Sequence, residues 1–380
     1  MDYEIKCSVC GKSGSSLLDS RCLSCGCPLD VKVQADFHTA KIKEHDFSAW
    51  RYAHFFPYVN RANIVTLGEG WTPLVGFSEN IFFKLENLNP TGSFKDRGST
   101  VLISALHKMI KDAGGYISED SSGNAGASAA AYAARAELKA KIYVPEAVSG
   151  PKLNQIQFYG AEVIKVSGDR SIIAQTAQRP ESKKFYVGHI LHPLFRDGIR
   201  TLAYEIAEQL NWQSPDRVYV PVSAGTLLLG ITEGFAHLFE SKIIPSMPTI
   251  IACQTKQVSP LYHRFKNLSY SPPTIINSVA DALLSVNPPL LELMMKELQE
   301  ARGDAIIVDE DEIISAFEEL AKRGFFVEPS SAVAYAALKK QVRDQRISKK
   351  DKVVVVLTGS GLKTILKPHG IQKSEKSKRL

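Results

Sequence analysis

Cysteine is nearly missing from this chain beyond residue 27. Of its six cysteines, five stand at positions 7, 10, 22, 25 and 27, and Cys253 is alone. A fold stapled by disulfides spreads its cysteines through the sequence, so this is not a disulfide-built secreted protein. No apolar run approaches the length of a membrane-spanning helix. The opening residues, Met1-Asp2-Tyr3-Glu4, lack the basic region and following apolar stretch of a secretory signal, and the expected location is the cytoplasm. Strong charge of either sign is missing too: 46 Lys and Arg face 40 Asp and Glu, a net +6. Part of that excess lies in Lys373 to Arg379, which reads as a disordered, solvated tail. So small and diffuse a basic balance is a poor basis for binding nucleic acid.

What remains is the composition of a globular protein, 44% hydrophobic and 23% charged. At 380 residues the chain is long enough for two folded domains and a small appendage. The appendage is marked by Cys7-Ser8-Val9-Cys10-Gly11 and Cys22-Leu23-Ser24-Cys25-Gly26, two C-x-x-C-G knuckles with 11 residues between them. Such a knuckle brings two thiolates to one ion from a tight turn, and the glycine permits left-handed backbone. The metal site expected is Cys7, Cys10, Cys22 and Cys25, with Cys27 able to replace Cys25. Four thiolates leave no open position, so the role is structural; Zn²⁺ is the expected ion, and iron has similar spacing. A segment this short buries little core, so the metal would supply its folding energy. Cys253, in the apolar strand-like run Ile251 to Gln254, reads as a small buried hydrophobe.

The chemistry centres on Asn89-Pro90-Thr91-Gly92-Ser93-Phe94-Lys95-Asp96-Arg97-Gly98. The alternating run Ile81 to Glu86 predicts a strand before it, and the spacing of apolar residues predicts a helix over Ser99 to Lys111. The turn-formers between them make a strand–turn–helix junction that delivers Lys95 to a helix N-terminus. There the helix dipole and Arg97 both disfavour an ammonium, and a neutral amine can condense with an aldehyde.

The string Pro-Thr-Gly-Ser-Phe-Lys-Asp-Arg-Gly closely resembles the cofactor-lysine motif of threonine synthases, β-family (fold type II) enzymes of pyridoxal 5′-phosphate. Further motifs follow in family order over residues 65–365. Leu67-Gly68-Glu69-Gly70-Trp71-Thr72-Pro73-Leu74 resembles the G-x-T-P-L entry to the catalytic domain. Ser121-Ser122-Gly123-Asn124, between a predicted strand and a small-residue helix, is an anion site by construction. The resemblance implies that Ser121 and Ser122 take the substrate carboxylate and that Asn124 bonds the cofactor's 3′-oxygen. Ser223-Ala224-Gly225-Thr226 is a second strand–loop–helix anion site, implied to cradle the cofactor phosphate. Thr358, closing the β-branched run Val353 to Leu357, would meet the pyridine nitrogen. Phe326-Val327-Glu328-Pro329-Ser330-Ser331-Ala332 resembles the family's E-P-x-S-A.

Two positions concern the substrate phosphate. Lys152 sits at a helix start, either as a surface lysine or, as the family implies, on that phosphate. His192-Pro193-Leu194-Phe195-Arg196 stands where threonine synthases have Asn-Pro-x-Arg, so Phe195 occupies the arginine's place and Arg196 is the shifted candidate.

The fold implied is α/β, the two-domain fold type II architecture of the tryptophan synthase β type, with parallel-rich sheets and an N-terminal zinc ribbon. Expected boundaries are 1–35 for the ribbon, 36–114 with 191–370 for a large cofactor domain, 115–190 for a small domain, and 371–380 for the basic tail. Trp50, Tyr52, Phe55, Phe56 and Tyr58 predict a helix docked on the body through aromatics. The activity implied is conversion of O-phosphohomoserine and water to threonine and phosphate, by a homodimer that binds neither membrane nor nucleic acid. The alternatives are an O-phosphoserine-dependent cysteate or cysteine synthase-like enzyme, a serine/threonine dehydratase, and, outside enzymes, a zinc-ribbon nucleic-acid-binding protein.

Overall fold

The structure, a computed structural model, describes residues 3–364; the expected basic tail and the end of the expected large domain lie outside the described residues. The chain opens with an antiparallel pair, β1 (Tyr3–Cys7) and β2 (Leu29–Val33), that brackets the cysteine knuckles. A connector follows. Its aromatics are buried as expected, but Ala49–Phe55 is a 3₁₀ helix with a kink at Tyr52. Phe37 stacks on Phe55 with ring centroids 4.2 Å apart.

Next, β3 (Leu74–Ser78) and β4 (Ile81–Leu85) form a hairpin that leads into α1 (Lys95–Asp112). Then strands and helices alternate: β5 (Tyr116–Glu119), α2 (Asn124–Arg135), β6 (Lys139–Pro145), α3 (Pro151–Phe158), β7 (Glu162–Val166), α4 (Arg170–Gln178) and β8 (Lys184–Tyr186). These four strands pair in parallel in the order β7-β6-β5-β8. Two helices, α5 (Pro193–Ile199) and α6 (Thr201–Gln209), return the chain to the first sheet. The remainder runs β9 (Arg217–Pro221), α7 (Thr226–Glu240), β10 (Thr249–Thr255), α8 (Pro260–Phe265), α9 (Leu291–Glu300), β11 (Asp304–Val308), α10 (Glu310–Lys322), α11 (Pro329–Arg343) and β12 (Val353–Leu357).

The larger sheet has the order β11-β10-β9-β12-β4-β3, parallel except for the β3–β4 hairpin. Alternation along β12 explains its all-apolar sequence. Val354 and Val356 enter the core that includes α1, α5, α6 and α7, while Val353, Val355 and Leu357 enter the core beneath α10 and α11. A strand covered on both faces needs apolar residues at every position. Among the described residues, no helix is long and apolar enough to cross a membrane.

α1 and α5 approach closely because each has a glycine at the contact. A Cβ on Gly98 would strike the Phe195 ring, and one on Gly198 would strike the Arg97 carbonyl. Below α1 lies a cluster of four fully buried charges. Arg97 Nε bonds Glu86 at 2.6 Å, its Nη1 bonds Glu205 at 2.6 Å, and Lys84 Nζ meets Glu205 at 2.8 Å. Two cations face two anions, and the leftover lone pairs take Thr72 Oγ1, the Trp71 N–H and Asn89 Nδ2. Satisfied in this way the cluster is tolerable; stripped of one member it leaves an unpaired buried charge.

Glu205→Leu should therefore cost about 3–5 kcal/mol of stability in urea unfolding, because Lys84 and Arg97 are left sharing one carboxylate. Lys108→Ala, which removes a solvent-exposed pair with Asp112, should change stability by less than about 0.5 kcal/mol. Equal effects for the two variants would show that the buried cluster does not govern stability.

Candidate active site

Five helices begin at the rim of one cleft of about 800 Å³, and no side chain caps the N-terminus of any of them. They are α1, α2, α3, α7 and α11, and the first helical residue of each, Lys95, Asn124, Pro151, Thr226 and Pro329, lines the cleft. A sixth helix, α4, also starts at the cleft with Arg170, but it is capped by Asp169, as α10 elsewhere is by Asp309. An uncapped N-terminus keeps its first-turn N–H groups free and carries partial positive charge. Several aimed at one cavity suit a ligand with more than one anionic group.

Most of the residues singled out from sequence meet here. Lys95 lines the cleft, and its Nζ lies 4.6 Å from the Phe94 ring centroid and 5.8 Å from that of Phe195. Burial pushes its pKa down to about 8, against the pull of the Glu119 and Glu328 carboxylates. The expected help from Arg97 is absent. That guanidinium is neutralised by Glu86 and Glu205, and burial takes its place as the cause.

Ser121, Ser122 and Asn124 line the same cavity, with the Gly123 N–H donating to Ser121 Oγ at 3.3 Å. Asn124 Nδ2 donates to both oxygens of Glu328, at 3.1 and 2.9 Å, while its Oδ1 is buried with no partner among the described residues. Across the cleft stand Ser223, Ala224, Gly225 and Thr226. Gly225 has φ +102, and a Cβ there would meet the Met294 sulfur, so only glycine fits the turn that opens α7. Thr358 completes the lining, its hydroxyl 2.8 Å from Ser331 Oγ.

Lys152 reaches the cleft held between Asp281 and Glu328, 2.9 Å from each. Arg196 does not reach it. One step along a helix turns a side chain by about 100°, and in α5 that step aims Arg196 at the ribbon. Its buried guanidinium donates to the carbonyls of Leu29 and Leu191 and faces Asp30 at 3.7 Å. Phe195 takes the direction of Lys95 instead.

Four residues escaped the sequence reading. Glu328, buried at the start of α11, joins Asn124 to Lys152; its place in the Glu-Pro motif was a usable signal. Lys363 lines the cleft and donates to the Thr91 carbonyl at 2.7 Å, with burial lowering its pKa to about 8. His189, on the cleft wall, forms a buried pair with Glu119, and nothing local in sequence announces it.

Away from the cleft, the thiols of Cys7, Cys10, Cys22 and Cys25 lie within 4.8 Å of one another, and Cys27 is outside the group. Sulfur separations of 3.4 Å for Cys7–Cys25 and 3.6 Å for Cys10–Cys22 are close to the roughly 3.8 Å implied by tetrahedral bonds of about 2.3 Å. Gly11 and Gly26 have φ +71 and +72, as the knuckle geometry requires.

Residues 65–359 match the family described as pyridoxal-phosphate dependent enzyme. The chain is 33% identical to a threonine synthase of Methanocaldococcus jannaschii over 382 aligned positions, which cover 94% of this chain and 92% of that one. It is 34% identical to a threonine synthase of Synechocystis over 325 positions, 82% of each chain. Among solved structures, its fold is similar to that of maize serine racemase, with a TM-score of 0.65 at 23% identity over 83% of this chain and 93% of that one. It is also similar to the processed form of tomato threonine deaminase isoform 2, with a TM-score of 0.67 at 20% identity over 86% of each chain.

The Lys95 amine should react with a small aldehyde with a midpoint near pH 8, where about half of it is neutral, against well under one in a hundred for an ordinary lysine. Glu328→Gln removes a carboxylate that favours the ammonium and should move the midpoint down. A midpoint near that of free lysine would show that burial does not govern this amine.

Proposed function

The chain belongs to the pyridoxal-phosphate dependent enzyme family, in company with its threonine synthases, and we propose that it converts O-phosphohomoserine and water to threonine and phosphate. The observation that carries this reading is the half-buried amine of Lys95 in a cleft ringed by uncapped helix N-termini. When bound, pyridoxal phosphate supplies an electron sink next to the substrate α-carbon. Two features support its fit to these residues: the unpaired Asn124 Oδ1 and the uncapped start of α7 at Gly225.

In this reading Lys95 holds the cofactor, the N–H groups of Ser223, Ala224, Gly225 and Thr226 bind its phosphate, Asn124 bonds its ring oxygen, and Thr358 faces its ring nitrogen. Ser121 and Ser122 bind the substrate carboxylate. With Arg196 withdrawn, the substrate phosphate falls to Lys152, and Lys363 stands nearby as a second cation. Lys95, once free, takes the α-proton and then a β-proton. The phosphate leaves from the γ-carbon, that carbon takes up a proton to become the methyl group, water adds its OH at the β-carbon while the α-carbon regains a proton, and threonine departs.

The division into a large domain, 36–114 with 191–370, and a small one, 115–190, is supported by the two separate sheets. We place a structural Zn²⁺ on Cys7, Cys10, Cys22 and Cys25. Thiols kept for a metal suit the reducing cytoplasm. The assembly proposed is a homodimer.

One observation favours a second reading. With Phe195 in the arginine's place, the cleft lacks that cation, which leaves room for O-phosphoserine and a sulfur nucleophile. Phosphate release with O-phosphohomoserine, O-phosphoserine or no substrate, with products identified, separates the two. Threonine and phosphate in equal amounts are expected from O-phosphohomoserine. Lys95→Ala should lose both that turnover and the cofactor's lysine-bound absorbance, and Lys152→Met should raise KM about tenfold or more, the loss of a hydrogen-bonded charge. Turnover of O-phosphoserine alone would overturn the first reading. Separately, metal analysis should find one zinc per chain, and Cys10→Ser should lose it and lower the melting temperature.

A further inference from the structure

We propose that His189, oriented by Glu119, is a second proton-transfer residue of this site, taking the proton from the water that adds to the substrate. The inference rests on the threonine-forming reading above and adds a residue to it.

His189 follows β8 in a stretch that extends the strand's pairing with β5, through the Val187 N–H to the Ser118 carbonyl at 2.9 Å. That places its imidazole directly over the end of β5. Glu119 grips it twice. One carboxylate oxygen is 2.8 Å from Nδ1, and the other accepts the His189 main-chain N–H at 2.9 Å. Burial raises the Glu119 pKa to about 7; above that pH the carboxylate accepts from Nδ1, and Nε2 carries the lone pair. No described residue bonds Nε2, and the ring is part of the cleft wall that also holds Lys95. Both His189 and Lys95 pack on Phe195, with centroid distances of 5.8 Å in each case.

The charged groups around the ring come from three other elements: Lys95 on α1, Asp120 after β5, and Arg170 on α4. Burial, then Lys95 and Arg170, keep the imidazole neutral, which is the form a base requires. A carboxylate that fixes the tautomer and an imidazole whose other nitrogen faces the reactants is the arrangement that makes a histidine a general base.

The step balances as follows. The water oxygen forms a bond to the β-carbon of a Cα=Cβ double bond while its proton passes to His189 Nε2. The pair released from the double bond takes a proton from the Lys95 ammonium at the α-carbon. His189 then loses its proton to solvent and Lys95 regains one, so the net change is addition of H and OH. His189 divides the task between two groups.

The test measures phosphate and threonine together, with O-phosphohomoserine and the cofactor-loaded full-length protein. In the wild type the two appear one to one. His189→Gln should slow threonine formation by about 10²-fold or more while phosphate release falls far less, the remainder leaving as 2-oxobutanoate and ammonia. Glu119→Gln should give the same uncoupling, because its amide donates to Nδ1 and forces the proton onto Nε2. The cofactor's lysine-bound absorbance, retained in a variant, shows that Lys95 is still in place, and Glu119→Gln decides if His189→Gln loses it. A one-to-one ratio preserved in the deciding variant, however slow, would overturn the proposal and leave His189 as packing for Phe195. Absence of phosphate release from the wild type would sink the threonine-forming reading instead, which is a distinguishable result.

Discussion

Lys95 can be held in one place because Arg97, two residues on, is held by two carboxylates. The guanidinium fills a fully buried site with Glu86 from the end of β4 and Glu205 from α6. These elements come from distant parts of the chain, so the first turn of α1 is tied to both the sheet and the helix layer behind it. Asp96 points a third way. Burial raises its pKa to about 6, and it accepts from the Thr91 N–H and hydroxyl and from Ser128. Three consecutive charged residues thus leave the helix start in three directions, and only the first faces the cleft. A reactive amine needs this kind of support, because its own contacts are too weak to fix it.

The same economy sets the electrostatics of the cleft. Its walls carry lysines at 95, 152 and 363, and it also collects helix N-termini, all favouring anions. Glu328 and Asp281 offset part of that charge by pairing with Lys152, and Glu328 also orients Asn124. One buried carboxylate therefore holds the Asn124 amide and the Lys152 ammonium together. A change at residue 328 cannot be confined to either.

Much of this was legible from sequence, for identifiable reasons. The strand–turn–helix at Lys95, the loop at Asn124 and the turn at Gly225 are local, so their residues stand next to each other in the chain. The two cysteine knuckles are local as well, down to the left-handed glycines 11 and 26. What escaped was assembled across the fold. Glu119 and His189 are 70 residues apart, and the Glu86–Arg97–Glu205 cluster joins three elements. The connector at residues 49–55 has the aromatic burial expected of a docked helix, yet its kinked 3₁₀ backbone was not visible in a pattern that only counts apolar residues. Arg196 was misplaced because a linear motif says nothing about which way a helix faces. A single offset moved it from the cleft to the carbonyl of Leu29.

The place of β12 in the larger sheet bears on how the protein is made. This strand, residues 353–357, is the last one described, yet it lies between β9 and β4 in the interior of the sheet. On the ribosome β4 emerges some 270 residues before its neighbour exists, and until then β4 and β9 each present an unpaired edge. The four-stranded sheet has no such delay, since its strands all fall within residues 116–186. Synthesis therefore yields one finished sheet and one open one for most of its duration. The open one shows apolar, edge-exposed strands of the kind that chaperones bind. Thr358 follows directly on β12 and lines the cleft, so that part of the cleft wall is added in the same event that closes the sheet.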